Sequence, residues 1–201
     1  MIRLYDSLSS GNGYKVRLLL TQLGIAFERV EVDILKGESR TEAFLAKNPN
    51  GRIPLLELNS DERLAESNAI LLYLAEGTRY LPKARWQRAK VHEWMFFEQY
   101  SHEPNIATRR FWLMHPPISE ERRAQLEPKL RLGYEALGVM ERHLSTRAFF
   151  VADEYTVADI ALYAYTHVAY EGGFDLHPFV ATRAWIERVR SQPRHIPITT
   201  G

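Results

Sequence analysis

The chain has 201 residues, 45% hydrophobic, 25% charged and 11% aromatic, with a net charge of +1 and no cysteine. This composition excludes a disordered chain, a disulfide scaffold, a thiolate metal site and a thiol nucleophile, and the length allows one large core or two small ones. The near-neutral charge argues against a nucleic-acid partner, and no apolar run reaches the roughly 18 residues that span a bilayer. No basic-then-apolar leader opens the chain, so the expected compartment is the cytoplasm.

In chain order, "IRLYD" puts Ile2 and Leu4 on one side and Arg3 and Tyr5 on the other, which is strand periodicity. From Tyr14, Val16, Leu19, Leu20 and Leu23 recur at helical spacing until Gly24. "FERVEVDI" alternates again through Val30, Val32 and Ile34. A helical segment over 41–47 ends at Asn48-Pro49, and "IPLLEL" and "RLAE" form a hairpin around a turn at 59–62. A helix over 68–76 has Ser67 placed as its cap and Gly77 as its stop. The order βαβ, helix, ββα makes a small mixed sheet with helices on its faces.

After Gly77 the character changes. Residues 78–85 read as a linker, and amphipathic helices fit 86–115, 120–144, 156–170 and 181–191. Pro104 and Pro128 are expected to kink or break the first two. The pairs Arg109-Arg110 and Arg122-Arg123 read as solvated helix faces. The expected organisation is an α/β domain over 1–77, the linker, and an all-helical domain over 86–201.

Three stretches of the first domain can carry chemistry. Ser10 and Asn12 precede a helix whose first-turn amides are unpaired, an arrangement that stabilises an anion; a plain capping loop is the alternative. Ile53-Pro54 opens an apolar strand, where a proline removes a ladder donor and, if cis, turns the chain sharply. The main chain of Ile53 is then available to an extended peptide. Ser67 at a helix start suits a carboxylate and Glu66 an ammonium, the two charges of an α-amino acid; again a cap is the alternative.

Together "SSGNGYKVRLLL", "NPNGRIPLLEL" and "AESNAILLYL" resemble the glutathione transferase superfamily in order and spacing, and "FVADEYTVADIALY" resembles its buried capping box. The resemblance covers essentially the whole chain. It implies a thioredoxin-like first domain with a cis Ile-Pro bond, glutathione as co-substrate and a homodimer. Residue by residue, it makes Ser10 the hydroxyl that donates to the glutathione sulfur, with Ile53 and Pro54 at the cysteinyl backbone. It gives Ser67 the γ-glutamyl carboxylate and Glu66 the amino group. Lys36, Arg40 and Arg52 stand where relatives hold the glycine carboxylate, with ordinary surface charge as the alternative.

Asn12, two residues beyond Ser10, is also similar to bacterial members that reduce disulfides, where an asparagine helps manage the sulfur. Ser10 and Asn12 are therefore the catalytic candidates. Thr156 and Asp159 form the capping box, structural rather than catalytic. Tyr100, His102, Arg109, Phe111 and Trp112 are candidates to wall the second-substrate site, although such side chains on helices usually form core. His102-Glu103 itself reads as an exposed helix turn. Seven histidines show no paired metal spacing, so no metal is expected. The expected function is detoxifying conjugation of glutathione thiolate to small hydrophobic electrophiles. Glutathione-dependent disulfide reduction at the same site and binding without turnover are the alternatives.

Overall fold

A computed structural model describes residues 1–59 and 62–201. Two of the four residues of the hairpin turn expected over 59–62 lie outside the described residues. The chain divides into two compact units, Met1–Thr78 with Pro193–Gly201, and Arg79–Gln192. The last nine residues, expected in the helical half with the rest of 86–201, join the first unit, because the helix over Gly11–Leu23 offers them hydrogen-bond donors described below.

The first unit is built on a four-stranded sheet of order β2-β1-β3-β4, from β1 (Ile2–Asp6), β2 (Phe27–Glu31), β3 (Leu55–Glu57) and β4 (Arg63–Ala65). β1 runs parallel to β2 and antiparallel to β3, with Leu4 opposite Leu56 and Tyr5 opposite Leu55. Alternation sends Tyr5 and Leu55 to one face, where they pack with Val32 and with Phe44 of α2 (Glu42–Leu45). Leu4 and Leu56 point the other way and are fully buried. α1 (Gly11–Leu23) packs against α3 (Ser67–Ala75), burying Val16, Leu19, Leu20, Ile70 and Leu71. Each such aliphatic side chain contributes about 2 kcal/mol of transfer free energy.

α1 starts at Gly11, earlier than the apolar period indicated, because Ser10 caps it with φ −72° and ψ 122°. Ser67 is not a cap. It is the first residue of α3, and Glu66, at φ +67°, holds the cap position.

In the helical unit α4 (Arg85–Phe97) passes through one π-helical turn, Glu98–His102, into α5 (Glu103–Met114). Pro104 is the second residue of α5, where its missing N–H is not needed. α6 (Glu120–Leu144) continues through Pro128 without the break that was one of the two expectations there. Both Pro128 and Ala124, whose carbonyl loses its partner, are exposed, which leaves that carbonyl open to solvent. α7 (Val157–Thr166) is buried at every residue and packs with α8 (Val180–Arg190) around Trp185, Phe150 and Tyr163. No helix among the described residues is long and apolar enough to cross a membrane.

Candidate functional site

β1 ends at Asp6, and residues 7–10 turn the chain into α1. Ser10 Oγ accepts from the Gly13 amide at 3.2 Å. That bond uses a lone pair and leaves the hydroxyl proton available to an anion at the helix start, where the macrodipole favours negative charge. Two residues on, Asn12 Oδ1 accepts from Ser67 Oγ at 3.0 Å, and Lys15 Nζ, fully buried, donates to the same Ser67 oxygen at 3.3 Å. The starts of α1 and α3 are thereby joined through one hydroxyl.

The loop ahead of β3 completes this edge of the unit. Ile53-Pro54 is cis, Pro54 is buried, and Ile53 packs on the Tyr5 cluster. Asn48 Nδ2 donates to the Arg52 carbonyl at 2.8 Å, and Asn50 Nδ2 reaches Glu66 Oε1 at 3.5 Å. Arg40 Nη1 donates to the Asn50 carbonyl at 3.0 Å. Gly51 is needed here: its φ is +62°, and a Cβ would come within 2.7 Å of Arg40 Nη1.

One bonded path thus runs from the Ser10 turn through Asn12, Ser67, Glu66 and Asn50 to Arg40, with Arg52 and Ile53 on the adjoining strand of loop. Lys36 stands apart, exposed and paired with Asp33 at 3.0 Å. That neighbouring carboxylate raises its pKa. Lys15 and Asn50 were missed by the sequence reading. For Lys15 the signal was available: it lies three residues from Asn12, hence on the same helix face.

The five second-substrate candidates do not converge. Tyr100 is 88% exposed. His102 is fully buried and shares a 2.8 Å hydrogen bond with Thr166 Oγ1; the extra residue of the π turn corrects the exposed-turn reading by rotating the ring inward. Arg109 donates to the carbonyls of Leu126 and Gly172 and lies over Phe174. Arg110, expected on a solvated face, is buried and paired with Glu171. Phe111 packs on His115, and Arg122 and Lys129 each lie over the Trp112 ring. A hollow of 620 Å³ in the helical unit is lined by residues between His167 and Arg190, none of them among these five.

The box at the start of α7 is complete. Asp159 accepts from Thr156 N at 2.9 Å, Thr156 Oγ1 at 3.2 Å, Phe150 N at 3.2 Å and Trp185 Nε1 at 2.9 Å. Burial pushes its carboxyl up to about 6 in spite of these donors. No cluster among the described residues has the makings of a metal site.

The family model of the glutathione S-transferase N-terminal domain matches residues 1–76, and that of the C-terminal domain matches residues 99–193. The chain belongs to the glutathione S-transferase family. A crystal structure of glutathione S-transferase from Pseudomonas fluorescens is 51% identical, covers 99% of both chains and superposes with a TM-score of 0.96. Among curated proteins, Glutathione S-transferase 3 of Zea mays is 35% identical over 79% of this chain and 73% of its own length. The disulfide-bond oxidoreductase YfcG of Escherichia coli is 30% identical over 96% of this chain and 92% of its own length.

Proposed function

We propose that this chain is a glutathione transferase that ionises the glutathione thiol and delivers the sulfur to small apolar electrophiles. In this reading Ser10 donates its hydroxyl proton to the sulfur, and the first turn of α1 adds its amide dipoles. The thiol proton leaves to water; the sulfur then bonds the electrophilic carbon as the leaving group departs with its electron pair. The main chain at Ile53 holds the cysteinyl residue beside Pro54. Ser67 and its amide take the γ-glutamyl carboxylate, with the buried Lys15 ammonium behind them, and Glu66 takes the amino group. Arg40 and Arg52 are nearest the glycine carboxylate. The protein works as a cytoplasmic homodimer, and exposed Trp86, Phe96 and Tyr100 supply apolar surface for a second copy.

The observation that supports this most is the Ser67 hydroxyl shared between Asn12 and Lys15, which links the sulfur-facing turn to the amino-acid-facing one. Retention on immobilised glutathione is the first test, and a protein that flows through removes the proposal. Given retention, Ser10→Ala should lower kcat/KM about 10- to 100-fold and raise the pKa of the bound thiol. An unchanged thiol pKa removes Ser10 from its role.

Asn12, held at the same helix start, favours a second reading, glutathione-dependent disulfide reduction. Activity confined to mixed disulfides, with Asn12→Ala costing more than Ser10→Ala, selects it.

A further inference from the structure

The first unit holds a buried charge cluster that the proposed function does not use. Asp6 and Arg17 are both fully buried, with Arg17 Nε donating to Asp6 Oδ2 at 2.8 Å. The guanidinium fork makes its other bonds to main-chain carbonyls. Nη2 donates to Leu8 at 2.7 Å, and Nη1 donates to Ile198 at 3.0 Å and to Thr200. One turn earlier on α1, the buried Tyr14 hydroxyl donates to the Ile196 carbonyl at 2.7 Å and lies 3.2 Å from His195 Nε2. A strand end, a loop and the segment 193–201 therefore meet on one side chain.

Stability alone does not account for the cluster. Removing both ions from water costs about as much as their attraction restores, and an apolar pair of equal volume is often as stable. Burial pushes the Asp6 carboxyl up to about 6 and lowers the Arg17 pKa, so pairing does not offset desolvation in either partner. The ion pair adds geometry, because a planar fork of fixed donors specifies the place of each acceptor.

Those acceptors adjoin the sulfur-facing turn. Leu8 is two residues ahead of Ser10, and the Ser10 amide donates to the Ser7 carbonyl at 2.8 Å. The Asp6 carboxylate lies directly under the first turn of α1: a Cβ on Gly13 would fall 1.5 Å from Asp6 Oδ1.

We infer that Arg17 is a positioning residue for Ser10, and that residues 193–201, through the carbonyls of Ile198 and Thr200, are a working part of the site. Arg17 touches no substrate. It fixes the Leu8 carbonyl, and with it the turn that presents the Ser10 hydroxyl to sulfur. The inference rests on the role proposed above for Ser10.

The test compares the full chain with Arg17→Lys, with a chain lacking residues 196–201, and with Tyr14→Phe. Lysine keeps the charge but cannot serve Asp6, Leu8 and two further carbonyls from one plane. For Arg17→Lys and the shortened chain, kcat/KM towards a chromogenic aryl halide should fall about tenfold while KM for glutathione stays within about twofold. The bound thiol, followed by thiolate absorbance, should titrate about one pH unit higher. Amide hydrogen exchange over residues 8–13 should quicken about tenfold, with β1 and β3 unchanged. Tyr14→Phe removes a single tether and should show the same pattern, smaller, which keeps the test open if the harsher variants do not fold. Folded variants with the parent thiol titration and parent exchange over 8–13 overturn the inference. If the parent chain holds no glutathione, the role of Ser10 falls and the inferred role in the site falls with it. Exchange over 8–13 then separately decides whether Arg17 and the tail fix the turn.

Discussion

Asp6, at the end of β1, and Asp159, in the first turn of α7, are both buried, and burial pushes both carboxyls up to about 6. Their partners differ. Asp159 is met by main-chain amides, a hydroxyl and an indole N–H, all neutral and all committed to that one carboxylate. Asp6 is met by a guanidinium with donors to spare, which continue to Leu8 and to the 193–201 segment. Neutral donors close a helix end and stop there. A cation with a fork of donors carries the geometry onward, and only the second arrangement adjoins a place where chemistry is proposed. Titration behaviour alone does not separate a folding device from a site device; the reach of the partner does.

The harshest way to break the Asp6 side is Gly13→Ala. With a Cβ 1.5 Å from Asp6 Oδ1, the ion pair or the first turn of α1 has to move. We expect a loss of about 3 kcal/mol or more in urea unfolding. The Asp159 side is read by pH. Its folded pKa of about 6 lies above the unfolded 3.8, so its contribution is full below pH 3.8 and is lost as pH rises through 6. Relative to Asp159→Asn, the parent chain should therefore lose about 2 kcal/mol between pH 4 and pH 7. A flat difference would mean that the donors around Asp159 fully compensate its burial.

Glu57 sharpens the contrast with the opposite sign. Burial raises its pKa, but hydrogen bonds from Arg63 and Lys47 outweigh that and bring it down to about 2. Its contribution is full above pH 4.5 and is lost as pH falls through 2. Glu57→Gln should cost about 1 kcal/mol at pH 7, with a gap that narrows below pH 4.5 in urea or thermal unfolding. The smallest effect belongs to Lys36, whose pair with Asp33 is exposed. Lys36→Ala should leave the urea unfolding midpoint where it is and change KM for glutathione by less than about twofold.

Local patterns were legible in the sequence. Alternation marked β1 and β2, the spacing of Thr156 and Asp159 marked the box, and the residues around Ser10, Ile53 and Glu66 marked one edge of the first unit. What escaped depends on partners distant in sequence or on a shift of a single residue. His102 points inward because a π turn adds one residue to the helical period. Ser67 gave up the cap position because its hydroxyl bonds Asn12, 55 residues away. Proline chemistry predicted a kink or break at Pro128, yet the helix continues there, with the orphaned carbonyl exposed to solvent and the rest of a 25-residue helix holding the backbone. Asp6 and Arg17 lie on a strand and a helix with different periods, so no single pattern pairs them. Nothing in "PRHIPITTG" advertises affinity for α1, since main-chain carbonyls do the binding and every sequence has those.

The family model of the N-terminal domain matches residues 1–76, yet the unit that holds together also includes Pro193–Gly201. A fragment cut at that border would strip the Arg17 guanidinium of two of its four acceptors, the carbonyls of Ile198 and Thr200, and would leave the Tyr14 hydroxyl without the Ile196 carbonyl. The helical half is, in connectivity, an insertion into its neighbour. Any attempt to express the thioredoxin-like half by itself should graft the nine-residue strap back on through a short linker.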